Sequence, residues 1–207
     1  MSSLRPLVAA GALVAAFLAL GANAPAHSSS SSSLQLRSEI RQAVLGIAGP
    51  RVRVRCSIRP GDGGFVEVLG HADWELRLIE LAPRICRNAN TLVTAPAKPY
   101  SRASFVQAKA LLVVVHESVH LSGYAGAFDE ELTECRSIQL IAETALHVGF
   151  DDATARALGH EALRFDAQLP GPGDWRVGLH EIPSYHSLHC YDGGPLDIHP
   201  DSNDWPN

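Results

Sequence analysis

The sequence predicts an α+β domain, with a small N-terminal antiparallel sheet and a mostly helical second half. Two patterns point there. Period-two alternation of apolar and polar residues runs through positions 51–81 and is broken by a glycine-rich stretch. Apolar residues at helical spacing then recur in segments bounded by Ser, Asp and Gly. A third observation is size: residues 34–207 suffice for one hydrophobic core with a cleft and are too few for two comfortable domains.

Residues 1–26 read as an export signal, because Arg5 precedes an apolar run over 7–20 and Ala22, Ala24 and Ala26 follow as small residues. The run is shorter than the roughly 20 residues of a bilayer-spanning helix, although extension to Ala26 leaves an uncleaved anchor as the alternative. Cleavage after Ala26 would leave His27 first, followed by serines at 28–33 that form a low-complexity tether. Residues 34–207 are then the domain.

Within it, Leu36, Ile40, Val44 and Ile47 recur at helical spacing until Gly49 and Pro50 stop the pattern. Strands are expected over 51–55, over 65–69 after the turn residues 60–64, and over 74–81, together forming an antiparallel meander with one polar face. Pro83, Pro96 and Pro99 mark a looped passage out of the sheet. Ser104 and Gln107 have capping-box spacing and open a helix over 105–121, apolar nearly all round and ended by Gly123. Asp129 caps the next helix, whose apolar residues Leu132, Ile138, Ile141, Ala145 and Val148 run to Gly149. A further helix over 152–168 precedes Pro170, and 171–207 read as a loop-rich tail pinned by Cys190.

Cys56, Cys86, Cys135 and Cys190 are even in number in a chain that carries an export signal, so two disulfides are expected. Three pairings are possible. Cys56 with Cys86 and Cys135 with Cys190 is preferred, because the early pair flanks the sheet and the later pair flanks the helical half. A thiolate zinc site needs closely spaced cysteines, and no C-x-x-C occurs.

A net charge of −5 without a basic block leaves no footprint for nucleic acid or for an anionic membrane surface, so a membrane partner is expected only if the N-terminal segment stays uncleaved. Aromatic residues at 6% also argue against a base-stacking surface. The chemistry lies instead on the central helix, where His116-Glu117-Ser118-Val119-His120 spells H-E-x-x-H. Spacing i, i+4 puts both imidazoles on one helix face, where their nitrogens can share one zinc ion. Glu117, about 100° round the helix from His116, falls beside that metal as a general base. A third ligand is needed, and the nearby acidic cluster is Asp129-Glu130-Glu131-Leu132-Thr133-Glu134 at the start of the next helix.

This arrangement resembles the gluzincin group of zincin metallopeptidases. In that group a ligating Glu is followed four residues on by an Asp or Asn that orients a ligating histidine, a residue one methylene shorter than the Glu134 found here. The resemblance implies Glu130 as the ligand and Glu134 as the orienting residue, although nine residues between His120 and Glu130 is a short link and keeps Glu134 open as the ligand. Glu131 is read as solvated. The pairing of Glu134 with Cys135, and the ending Cys190-Tyr191-Asp192-Gly193-Gly194-Pro195-Leu196-Asp197, resemble small exported actinobacterial proteins with the same H-E-x-x-H motif; no substrate comes with that likeness. What the resemblance implies is an exported zinc metallopeptidase with one Zn²⁺ per chain, acting on a peptide or protein.

Other candidates are weaker. His160, His180, His186, His189 and His199, with Asp192 and Asp197, form no fixed geometry and read as surface groups rather than a second metal site. His186, Tyr185, Tyr191 and Tyr124 are candidates for stabilising an oxyanion opposite the metal. His147 and the three tryptophans, Trp74, Trp175 and Trp205, read as packing residues. The strand over 75–79 is expected to be the edge beside the metal helix that pairs with an extended peptide. The segment 34–48 is a candidate cover for the cleft. Two rival readings stay open: a zincin scaffold that binds without turnover, and a metal-free, disulfide-stabilised exported domain.

Overall fold

The computed structural model describes residues 34–58, 68–123, 129–167, 176–177, 180–181, 187–202 and 205–206. The expected export signal and serine tether lie outside the described residues. The elements in order are α1 (Ser38–Ala48), β1 (Arg53–Arg55), β2 (Gly70–Asp73), β3 (Leu78–Leu81), α2 (Pro83–Thr94), α3 (Arg102–Ser122), α4 (Glu130–Val148), α5 (Asp152–Asp166), β4 (Arg176–Val177) and β5 (His180–Glu181). The α+β class is as the sequence predicts.

The sheet is mixed rather than an antiparallel meander. Its order is β1-β3-β2, with β1 parallel to β3 and β2 antiparallel to it. Composition explains the order: Leu78, Ile79 and Leu81 of β3 are buried, so this strand takes the centre, whereas Gly-His-Ala-Asp of β2 has little apolar area to bury and sits at an edge. The strand expected over 74–81 is cut to 78–81 because residues 74–77 form the turn of the β2–β3 hairpin. The Asp73 carboxylate accepts from the Leu76 amide at 2.8 Å, and Arg77 has φ +49°. Of the strand expected over 65–69, residues 65–67 lie outside the described residues, and pairing begins only at Gly70.

Pro83 does not lead into a loop. It occupies the first turn of α2, where its missing N–H and fixed φ cost nothing, and Ile85, Cys86, Ala89 and Leu92 form the buried stripe of that helix. The cap of α3 is Ser101, whose hydroxyl accepts from the Ser104 amide at 3.1 Å. Ser104 instead donates to buried Glu161 at 3.1 Å, and Gln107 bridges the preceding loop, accepting from the Ala97 amide and donating to the Ala95 carbonyl. The other helix boundaries follow the sequence: Gly123 and Gly149 are left-handed at the ends of α3 and α4, and Asp129 caps α4 through the Leu132 amide at 2.9 Å.

Helix α3 stands between two apolar clusters, which is why it is apolar nearly all round. Ala110, Val114 and Leu121 join Ile40, Val44, Ile79, Leu81 and Ile85 on the sheet side. Leu111, Leu112, Val115 and Val119 join Ile138, Ile141, Leu158 and Ala162 of α4 and α5. Each of the large apolar side chains so buried contributes about 1.5–3 kcal/mol. The segment 34–48 is part of the first cluster through Leu36, Ile40, Val44 and Ala48, so it is core rather than a cover over the cleft.

Two disulfides, Cys56–Cys86 and Cys135–Cys190, match the preferred pairing. The second ties the tail to α4, and buried Gln139 adds to it by donating to the Leu196 carbonyl at 2.9 Å and accepting from the Ile198 amide at 2.7 Å. Both bridges fit an oxidising, extracytoplasmic compartment. Among the described residues no helix is long and apolar enough to cross a membrane.

Candidate metal centre

Helices α3 and α4 lie against each other so that one face of α3 near its C-terminal end meets the first turns of α4. His116 and His120, one turn apart, point to that junction, and Glu130, the first residue of α4, meets them there. The capped N-terminus of α4, with its positive dipole end, is a favourable place for that carboxylate.

The three side chains converge. His116 Nε2 lies 3.0 Å from Glu130 Oε2 and 3.0 Å from His120 Nε2, and His120 Nε2 lies 3.3 Å from Glu130 Oε2. Donors held about 2.0–2.2 Å from a tetrahedral zinc stand about 3.3–3.6 Å apart, so the triangle is close to the size that such an ion requires. Among the described residues this is the one group of three His, Cys, Asp or Glu side chains gathered so closely.

Groups behind the ligand atoms fix their orientation. Glu134, one turn along α4 and 3% exposed, bonds His116 Nδ1 at 2.7 Å. With its proton held there, the His116 ring presents a lone pair at Nε2, the condition for ligating a metal. Glu134 therefore sits on the far side of the ring from Glu130 and does not join the cluster. Thr133 Oγ1 approaches His120 Nδ1 at 3.5 Å, the limit of such a contact. Glu131 stays outside the group.

The electrostatics describe a site that attracts positive charge. Burial depresses the His116 pKa, but the hydrogen bonds with Glu130 and Glu134 outweigh it and push the imidazole up to about 10. Burial raises the Glu130 carboxyl, and its bonds to His116 and His120 overcome that and draw it down to about 2. A dication at the junction would pair with Glu130 and both rings, while Glu134 keeps the Nδ1 proton of His116.

Glu117 is 7% exposed, and burial holds its pKa above the ordinary carboxylate range, with the nearby histidines opposing. Its carboxylate is pressed against β2: a Cβ placed on Gly70 would come within 2.4 Å of Glu117 Oε1 and 2.6 Å of Cγ. Only glycine gives the strand this approach. A cleft of about 480 Å³ opens here, lined by residues 70–75 with His116, Glu117, His120 and Glu130. The edge beside the metal helix is thus β2 and not the segment 75–79, because β3 is enclosed between its two neighbours.

Tyr124, Tyr185 and His186 lie outside the described residues; Tyr191 is exposed and does not line the cleft. His147 and His199 line a separate cavity of about 450 Å³ between α1, α4 and the tail. Trp74, expected to pack, is exposed at the cleft rim. Gly70 carries no signal in the sequence, and Trp74 reads there as packing, because nothing in their local pattern ties them to a motif some forty residues away.

Comparison with protein families, with curated proteins and with solved structures found no match for this chain.

Proposed function

We propose that this chain is an exported zinc-dependent metallopeptidase of the zincin type, resembling gluzincins, with His116, His120 and Glu130 as the metal ligands and Glu117 as the general base. The observation that carries the reading is the triangle of His116 Nε2, His120 Nε2 and Glu130 Oε2 at 3.0–3.3 Å in the same cleft as the buried Glu117. When bound, zinc supplies Lewis acidity, which acidifies water and polarises a carbonyl. Three protein ligands leave a fourth position for that chemistry, and Glu134, engaged with His116 Nδ1, does not close it.

Glu117, in the same cleft, would take the proton of the attacking water and give it to the leaving amine. Among the described residues strand β2 is an edge of the sheet along the cleft, on which an extended peptide can add as a further strand. Export through residues 1–26 accords with the two disulfides.

The test is hydrolysis of a mixed peptide library by the zinc-loaded protein and by Glu117→Gln. Cleavage by the wild-type chain, with loss of at least about a hundredfold in the variant at unchanged zinc content, is expected. Equal cleavage by both would remove Glu117 from the mechanism, and no cleavage by either would remove the peptidase reading.

A further inference from the structure

Trp74 is 59% exposed although it lines the cleft that contains the His116, His120 and Glu130 cluster. An exposed aromatic side chain at a cleft rim offers a bound ligand a large face to pack on. The backbone of the turn that carries it is held. The Leu76 amide donates to Asp73, Arg53 donates to the Leu76 carbonyl at 3.1 Å, and Arg77 donates both to the Ala48 carbonyl and, at 2.7 Å, to the Leu121 carbonyl. Leu121 directly follows His120, so the turn is tied to the end of α3, and its backbone need not be ordered by a ligand.

The cleft lining holds the carboxylates of Asp73, Glu75, Glu117 and Glu130; its basic groups are His71, His116 and His120, and neither Lys nor Arg lines it. Glu117 and Glu130 serve the metal centre, whereas Glu75 adjoins Trp74 on the exposed turn. A tryptophan face beside a carboxylate suits a cationic side chain, through cation–π attraction and ion pairing together.

Strand β2 ends at Asp73, and Trp74 and Glu75 follow it at the start of the hairpin turn, lining the same cleft. We propose that Trp74, with Glu75, forms a specificity subsite for a Lys or Arg side chain of a peptide bound in that cleft. This inference rests on the peptidase reading and names its substrate class: polypeptides with a basic residue near the bond that is cut.

The test uses zinc-supplied Glu117→Gln, so that binding is read without turnover, and peptides carrying a single Arg, citrulline or norleucine at successive positions. The Arg peptide with the residue at the favoured position should bind about fivefold to tenfold tighter than its citrulline counterpart. Adding Trp74→Ala or Glu75→Gln to Glu117→Gln should bring that ratio close to one while zinc content and melting temperature hold. Persistence of the ratio without Trp74, a preference for norleucine, or no peptide binding at all would overturn the subsite. Arg-selective binding that depends on Trp74, with no cleavage of the same peptides by the wild-type protein, would keep the subsite and remove the peptidase reading.

Discussion

Substituting Gly70 by Ala puts a methyl group where the structure has no room for one. The new Cβ would stand 2.4, 2.6 and 2.8 Å from Oε1, Cγ and Cδ of Glu117, up to about 1 Å inside ordinary contact. Because two of those atoms are carbons within the side chain, rotating the carboxylate alone does not relieve the clash. Either β2 withdraws from α3 or Glu117 leaves its rotamer. Overpacking of this kind costs about 1–3 kcal/mol, which for a chain of this size lowers the melting temperature by roughly 2–10 °C. If Glu117 is the proposed general base, a displacement near 1 Å is expected to cost about a hundredfold in kcat. The proposed metal ligands come from α3 and α4, so zinc content should stay at the wild-type level. The assay is peptide hydrolysis, zinc stoichiometry and thermal unfolding measured on the same preparation. Activity within about threefold of wild type, with an unchanged melting temperature, would refute the close approach of strand and base.

Glu134→Ala should weaken zinc affinity about 10- to 100-fold, read by competition with a chromophoric chelator, because it frees His116 Nδ1 of its 2.7 Å partner without removing a ligand. Glu134→Gln, which keeps an acceptor oxygen, should lose less. For the metal-free protein, the raised His116 pKa contributes stability that is complete below its usual 6.5 and is lost as pH rises through about 10, while the lowered Glu130 pKa contributes stability that is complete above its usual 4.5 and is lost as pH falls through about 2. Thermal unfolding of the chelated chain should therefore be most favourable to the folded state between about pH 4.5 and 6.5; a flat profile from pH 6 to 10 would contradict the His116 assignment. Replacing Cys135 and Cys190 together by Ser should cost about 4 kcal/mol in denaturant titration, given their sequence separation of 55, and a loss under 1 kcal/mol would mean the tail is held without the bridge.

The readable features were those written in local chemistry. H-E-x-x-H on an apolar run between a serine cap and Gly123, and Asp129 opening the acidic helix, place His116, His120 and Glu130 within one junction once both helices form. Glu130 and Glu134 take different places because i, i+4 spacing lets one reach Nε2 of His116 while the other reaches Nδ1. The disulfide pairing was legible from which cysteines flank which half. The sheet was not, since strand order depends on which strand can bury both faces, and alternation alone does not rank them. Helix α2 is hidden by Pro83, which suits a chain exit and the first turn of a helix equally, and only the stripe of Ile85, Cys86, Ala89 and Leu92 behind it separates the two. Gly70 and Trp74 acquire meaning only from the β2–α3 contact, a tertiary fact with no local signature.

The most direct measurement is the zinc stoichiometry and thermal stability of the oxidised protein before and after chelation, repeated on His120→Ala, Glu130→Gln and Glu134→Gln. One zinc per chain in the wild type and in Glu134→Gln, with stability that falls on chelation, and no retained zinc in the other two variants, is the expected result. A wild-type chain that binds no zinc, or one that loses it with Glu134→Gln and keeps it with Glu130→Gln, would contradict the site built on His116, His120 and Glu130.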